Sequence, residues 1–159
     1  MSGIPGSVGG TVSMNAGAFG TEIKDVALEM GVCELDGRDV LIKAPDAGFG
    51  YRRADNIKGI VTWLKLNLEK GDTDELLKKR AEILASRKDK QPVEYPSCGS
   101  VFKRPEGNYA GALIEQCGLK GYKIGGAQVS EKHANFINNM SDAKSDDIYK
   151  LINHVQETV

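Results

Sequence analysis

The sequence predicts a fold of mixed strands and helices, on three observations. Segments with the alternation of strands gather within residues 1–71, before any long helical pattern. One long helical pattern covers residues 72–90. After it come short strand-like pieces and a terminal amphipathic helix. With 40% hydrophobic and 27% charged residues, the 159-residue chain has ordinary globular composition and enough length to bury a core.

The chain opens on Gly3-Ile-Pro-Gly-Ser-Val-Gly-Gly10 and continues to Gly20, with six glycines and no charge between residues 3 and 20. Residues 26–35 then read as a strand, Asp36-Gly37 as a hairpin turn, and Val40-Leu41-Ile42 as the return strand. Residues 45–50 form a loop leading into Tyr51-Arg52-Arg53. From Ile60 to Glu69 the alternation resumes, with Leu64, Leu66 and Leu68 set against Lys65, Asn67 and Glu69. Gly71 ends that strand. Asp72 with Glu75 fits a capping box, Leu76, Leu77, Ile83 and Leu84 repeat at helical spacing, and a basic tail (Arg87, Lys88, Lys90) suits the helix dipole. Gln91-Pro92 stops the helix.

A turn-rich stretch runs from Tyr95 to Gly126 and holds a short helix over 109–117, closed by Gly118. Val129 and residues 134–137 look like strand pieces. Ile148, Leu151, Ile152, Val155 and Val159 share one face of the last helix. Both ends look cut: the chain starts inside a glycine motif, and the last helix runs out without a cap. The helix at 72–90 marks the boundary between two regions, 1–71 and 72–159.

Several function classes are excluded. With 21 Lys/Arg against 22 Asp/Glu the formal net charge is −1, so no basic field invites nucleic acid or an acidic membrane. No apolar run approaches the ~20 residues of a spanning helix. Residues 1–21 lack the basic start and apolar run of a signal peptide. The cysteines (Cys33, Cys98, Cys117) are odd in number and lack a C-x-x-C pair. That favours a reducing compartment, the cytoplasm, over a disulfide frame or structural zinc, and the expectation is that they fill core gaps.

The remaining candidates lie in the motifs. Glycines at 3, 6, 9 and 10 allow backbone N–H groups to form an anion-binding nest, or a flat or phosphorylated ligand to approach the main chain. The alternative is a packed turn. The spacing matches neither a P-loop nor a dinucleotide fingerprint. Arg52 can hold a carboxylate or phosphate through its guanidinium fork, the alternative being a solvated basic pair with Arg53. Ser100 follows Gly99 and precedes Val-Phe-Lys103-Arg104-Pro, an exposed hydroxyl beside a cationic wall. Its surroundings do not make a Gly-x-Ser-x-Gly nucleophile, but a placed serine can still donate a proton. His133 lies near Gly125-Gly126, where a ligand contact is open; His154 sits on the last helix. No carboxylate pair stands out and no metal site is expected.

Taken in order, Gly3-Ile-Pro-Gly-Ser-Val-Gly-Gly, Met14-Asn-Ala-Gly-Ala, Gly50-Tyr-Arg, Tyr95-Pro-Ser-Cys-Gly-Ser-Val-Phe-Lys-Arg-Pro and Gly118-Leu-Lys-Gly-Tyr-Lys-Ile-Gly-Gly-Ala-Gln-Val-Ser strongly resemble the UDP-N-acetylenolpyruvoylglucosamine reductases of bacterial cell-wall synthesis. The resemblance spans essentially the whole chain and is to the shorter family type, which lacks a substrate-covering tyrosine loop. It implies part of an FAD-binding domain of the vanillyl-alcohol-oxidase type over 1–71, then an α+β substrate domain over 72–159. The implied reaction is NADPH-dependent, FAD-mediated reduction of a UDP-sugar enolpyruvyl ether in peptidoglycan precursor synthesis.

By the same resemblance, Ser100 is the proton donor and Arg52 steadies the substrate carboxylate and the developing enolate. Gly3, Ile4, Pro5, Gly6, Ser7, Gly9, Gly10, Asn15 and Ala16 fall on the flavin side; Tyr51, Arg52, Gly99, Lys103, Arg104 and His133 fall on the UDP-sugar side. The family's first flavin subdomain would precede Gly3, and its catalytic glutamate would follow residue 159, so no residue is assigned to either and the chain alone is expected to be inactive. The oligomeric state stays open. Two alternatives of other classes remain: a non-catalytic nucleotide-sugar binding fragment, and a structural fragment whose glycine loops are only turns.

Overall fold

The structure, a computed structural model, describes residues 3, 4 and 6–159. It divides into two compact units, Gly3–Leu76 and Leu77–Val159. Helix and sheet are mixed in both, giving the α+β class.

The first unit begins with a helix, α1 (Val8–Ser13), which the sequence reading had as glycine turns. Glycines are poor helix formers, so tertiary contact decides here. Val12 is fully buried, and a side chain at Gly9 would stand 3.2 Å from the Val61 carbonyl oxygen. Ser7 caps the helix, its Oγ accepting from the Gly10 N–H at 3.1 Å. A two-residue ribbon follows, β1 (Gly17–Ala18) with β2 (Thr21–Glu22), then a single 3₁₀ turn over Ile23–Asp25.

The main sheet of this unit has β3 (Ala27–Glu34) in the middle. It pairs antiparallel with β4 (Asp39–Lys43) on one side and β7 (Gly59–Leu66) on the other. The Asp36-Gly37 hairpin forms as the sequence requires. Its turn is held by Gly37 N–H to the Glu34 carbonyl at 2.9 Å and by Arg38 ion-paired to Asp36 at 2.6 Å. Between β4 and β7 the chain makes a tight ribbon, β5 (Phe49–Gly50) with β6 (Arg53–Ala54). Alternation buries Met30 and Val32 with Val12, Ile23, Ala27 and Ala47 on one face of the sheet. On the opposite face Leu41, Ile60 and Trp63 are exposed, and the Trp63 indole lies across Gly31 where any Cβ would collide.

Helix α2 (Thr73–Lys90) spans the division between the units. Asp72 accepts from the Glu75 N–H at 3.0 Å, the expected cap. Leu76, Leu77 and Leu84 are nevertheless exposed, and within the helix only Arg87 is buried.

The second unit is built on a three-stranded antiparallel sheet, β8 (Lys123–Ile124), β9 (Ala127–Val129) and β10 (Ile137–Asn139), with β9 central. The last strand begins where the predicted 134–137 piece ends, because residues 133–136 make a turn. Helices α3 (Ala110–Gln116) and α4 (Ser145–Thr158) supply Ile114, Leu151 and Val155 to a core shared with Leu119, Ala127, Val129, Ala134 and Ile137. Gly118, at φ 70, closes α3. The expectation for the cysteines fails for two of the three. Cys98 and Cys117 are exposed and Cys33 half-buried, because Cys98 lies in a surface loop and Cys117 caps the solvent side of α3.

Candidate functional site

Site residues lie in both units, and each group has its own geometry. In the first unit, the chain entering α1 is uncharged: Gly3, Gly6 and Ser7 before the helix and Val8 and Gly10 in its first turn are exposed, Ile4 and Gly9 half-buried. Pro5 lies outside the described residues. Gly6 has φ 133, a conformation that excludes side chains, and nothing comes within 4 Å of where its Cβ would stand. A planar ligand can therefore reach the main chain there. Ala16 is half-buried.

Asn15, expected on the flavin side, is fully buried, and its carboxamide is bonded inside the protein. Nδ2 donates to Glu22 Oε2 and to the Gly50 carbonyl, both at 3.0 Å, and Oδ1 accepts from the Lys24 N–H at 3.0 Å. Its φ of 40 is a left-handed conformation that asparagine tolerates better than most residues. Asn15 is thus a clasp between the loop after α1 and the β5–β6 ribbon. Beside it, Glu22 is held below the usual carboxylate range, first by its Lys24 partner at 2.9 Å and also by the Asn15 amide.

Tyr51 and Arg52 form the tip of that ribbon. Arg52 takes φ 55, a strained choice for a non-glycine residue at a position where glycine would be cheaper. Its guanidinium donates to the Gly17 carbonyl at 3.3 Å and stands 5.4 Å from the Tyr51 ring centroid. The tip is therefore tied to the glycine loop at two points, through Asn15–Gly50 and through Arg52–Gly17. An arginine steadied in this way presents a planar cation for a carboxylate.

In the second unit, Gly99 turns at φ 83 and delivers an exposed Ser100, which bridges antiparallel to Phe136. The next residues are pinned: Val101 N–H reaches the Asn135 carbonyl at 2.8 Å, and Phe102 is bonded at both its N–H and its carbonyl by the Asn135 side chain. Lys103 and Arg104 follow, both exposed. The Arg104 guanidinium lies 4.0 Å over the Tyr109 ring and its Nε donates to the Asn108 carbonyl at 3.2 Å. His133 is half-buried. Its Nδ1 accepts from the Asn135 N–H at 3.2 Å and its ring meets Phe136 edge-on at 4.9 Å. Burial holds the imidazole below its ordinary value, with the Lys120 charge adding to that. The neutral ring with Nδ1 as acceptor carries its proton on Nε2, as a hydrogen-bond donor.

Ser100, Gly99, Lys103, Arg104 and His133 thus gather along one antiparallel contact, 99–104 against 133–136. Gly126 is explained by packing instead: a Cβ there would overlap the Ser141 carbonyl. Asn135 and Tyr109 were missed. A buried asparagine inside Ala-Asn-Phe-Ile gives no local sign that its amide bonds the backbone of Phe102, thirty-three residues earlier in the chain.

Comparison with known proteins bears on both units. Residues 91–159 match the family described as UDP-N-acetylenolpyruvoylglucosamine reductase, C-terminal domain. A reductase of that name from Enterococcus faecalis is 49% identical over 99% of this chain, and one from Caldanaerobacter subterraneus subsp. tengcongensis is 46% identical over the same share. Over nearly its whole length the chain is similar to UDP-N-acetylenolpyruvoylglucosamine reductases. It spans about half the length of these curated relatives, 53% of each. The crystal structure of the reductase from Thermus caldophilus superposes with a TM-score of 0.88 at 38% identity, covering 99% of this chain and 59% of the other. Family likeness therefore extends through the first unit as well as the C-terminal reductase domain. Among the described residues no helix is long and apolar enough to cross a membrane.

Proposed function

We propose that this chain carries the substrate side and part of the flavin side of a reductase that converts UDP-N-acetylglucosamine enolpyruvate to UDP-N-acetylmuramate, a step of peptidoglycan precursor synthesis. The reading places the reaction in the cytoplasm, where nucleotide-activated sugars and NADPH are at hand. The observation that carries it is the exposed Ser100 hydroxyl on a backbone pinned at 100–102, followed directly by Lys103 and Arg104.

The open, uncharged main chain around Gly6 fits a flat ring system, so Gly3, Ile4, Gly6, Ser7, Gly9 and Gly10 are the residues that would line FAD, with residues 1–71 as part of its domain. The chemistry that bound FAD would supply is a hydride, drawn from NADPH, for one carbon of the enolpyruvyl double bond. Ser100 gives its hydroxyl proton to the adjacent carbon and recovers one from water, so that the double bond gains one hydride and one proton. Arg52 pairs its fork with the substrate carboxylate and stabilises the negative charge that spreads into it. In the second unit Gly99, Lys103, Arg104 and His133, the last donating from Nε2, would face the UDP-sugar; in the first unit Tyr51 would.

The test is substrate-dependent NADPH oxidation by the full-length flavin-loaded protein. The reading requires one NADPH consumed per UDP-N-acetylmuramate formed. NADPH oxidation that ignores the enolpyruvyl sugar would refute it.

A further inference from the structure

We propose that Asn135 is a positioning residue: its carboxamide locks the 100–102 segment in register and so fixes where the Ser100 hydroxyl stands. The inference rests on the reading of Ser100 as proton donor. The contact begins as ordinary strand pairing, with the Ser100–Phe136 bridge and the Val101 N–H on the Asn135 carbonyl at 2.8 Å. Regular pairing stops there, and at Phe102 the chain bends. There the partner backbone turns, Phe136 N–H closing on the His133 carbonyl at 2.9 Å. The Asn135 side chain takes the place of the next backbone unit. Its Oδ1 accepts from the Phe102 N–H at 2.8 Å and its Nδ2 donates to the Phe102 carbonyl at 2.9 Å. A primary amide offers the same donor and acceptor as a peptide group, and few other side chains do.

Two features make this more than packing. Asn135 is 7% exposed, so its bonds are shielded from competing water. The same residue also donates its N–H to His133 Nδ1, so one asparagine sets both the Ser100 register and the His133 tautomer. Loss of the clasp frees Phe102 and lets the serine drift. For a proton transfer, a displacement of about 1 Å costs on the order of a hundredfold in rate.

The experiment uses the full-length flavin-loaded reductase. Hydrogen exchange on the unaltered protein comes first: the Phe102 amide, whose partner is the Asn135 side chain, should be protected like that of Val101. Exchange at the rate of a free amide would overturn the clasp. Asn135→Asp keeps the acceptor but sets an anion against the Phe102 carbonyl. It should leave NADPH-driven flavin bleaching within about twofold of the parent, while colour recovery on adding the enolpyruvyl sugar slows at least tenfold. The double variant Asn135→Asp/Ser100→Ala should be no slower than Ser100→Ala alone, because both act through one hydroxyl. Additive losses would make Asn135 merely structural and overturn the inference. A Ser100→Ala protein at parental rate would instead sink the reading of Ser100, and with it this inference. An impaired Ser100→Ala protein beside a parental Asn135→Asp protein would overturn the inference alone.

Discussion

Asn15→Asp is a nearly isosteric change with a large expected cost. It keeps the acceptor for the Lys24 N–H but abolishes both Nδ2 donations, to Glu22 and to the Gly50 carbonyl. The bond to a charged partner contributes about 1.5–3 kcal/mol and the neutral one about 0.5–1.5 kcal/mol. The new carboxylate also faces that of Glu22 across a gap now spanned by a 3.0 Å hydrogen bond. Like charges there add repulsion, moderated by Lys24 and by partial exposure of Glu22. We expect about 3–5 kcal/mol lost at pH 7.

The sign of the pH dependence identifies the cause. Two facing carboxylates raise each other's proton affinity, so the pair takes up a shared proton at a higher pH than Glu22 alone in the parent. The protonated oxygen can then donate again, and the deficit relative to the parent shrinks. Asn15→Ala, which adds no charge, should lose about 3 kcal/mol with little change over the same range. Trp63 is the only tryptophan and lies in the same unit, so urea unfolding followed by its fluorescence reads the affected region. An Asn15→Asp protein within 1 kcal/mol of the parent at pH 7, or a deficit that does not shrink on acidification, would refute the clasp.

Two further outcomes follow from the second unit. Asp147 accepts from the backbone N–H groups of Lys144 and Gly126, at 3.0 and 3.3 Å, and these bonds hold its carboxyl below the usual value. Its contribution is therefore present above the ordinary aspartate range, near pH 4, and disappears as pH falls through the lowered native value. Asp147→Asn should melt lower than the parent at pH 6, with the gap closing toward pH 3; a gap that widened would contradict the assignment. Gly126→Ala drives a Cβ into the Ser141 carbonyl, a backbone atom that cannot swing aside. It should cost about 2–4 kcal/mol in denaturant unfolding of the full protein, whereas a neutral result would mean that the 141–143 loop is free to move.

How much of this was legible in the sequence depends on the range of the interactions. The 27–34 and 59–66 strands, the Asp36-Gly37 hairpin and the 73–90 helix were readable because alternation, turn chemistry and caps act over a few residues. Ser100 and Arg52 were readable only through the family's motifs. Local spacing alone favoured a turn serine and a solvated basic pair.

What escaped was set by contacts distant in sequence. α1 forms through two glycines because Val12 is buried and Gly9 packs on β7, which no local propensity expresses. Nothing local to Asn15 shows that its amide clasps Gly50, thirty-five residues away. Asn135 was read as part of a strand, while its side chain replaces a strand. The leucines of α2 repeat as a buried face would, but Leu76, Leu77 and Leu84 are exposed; periodicity describes which residues share a face, not whether that face is covered.

The central claim is that Ser100 donates the proton that completes reduction of the enolpyruvyl double bond, and stopped-flow absorbance on Ser100→Ala in the full-length flavin-loaded protein tests it most directly. Bleaching by NADPH should match the parent, and UDP-sugar affinity should hold within a few-fold. Colour recovery on adding UDP-N-acetylglucosamine enolpyruvate should fall by a factor of about 10² or more, the usual scale of a general acid. Recovery at the parental rate would contradict the account.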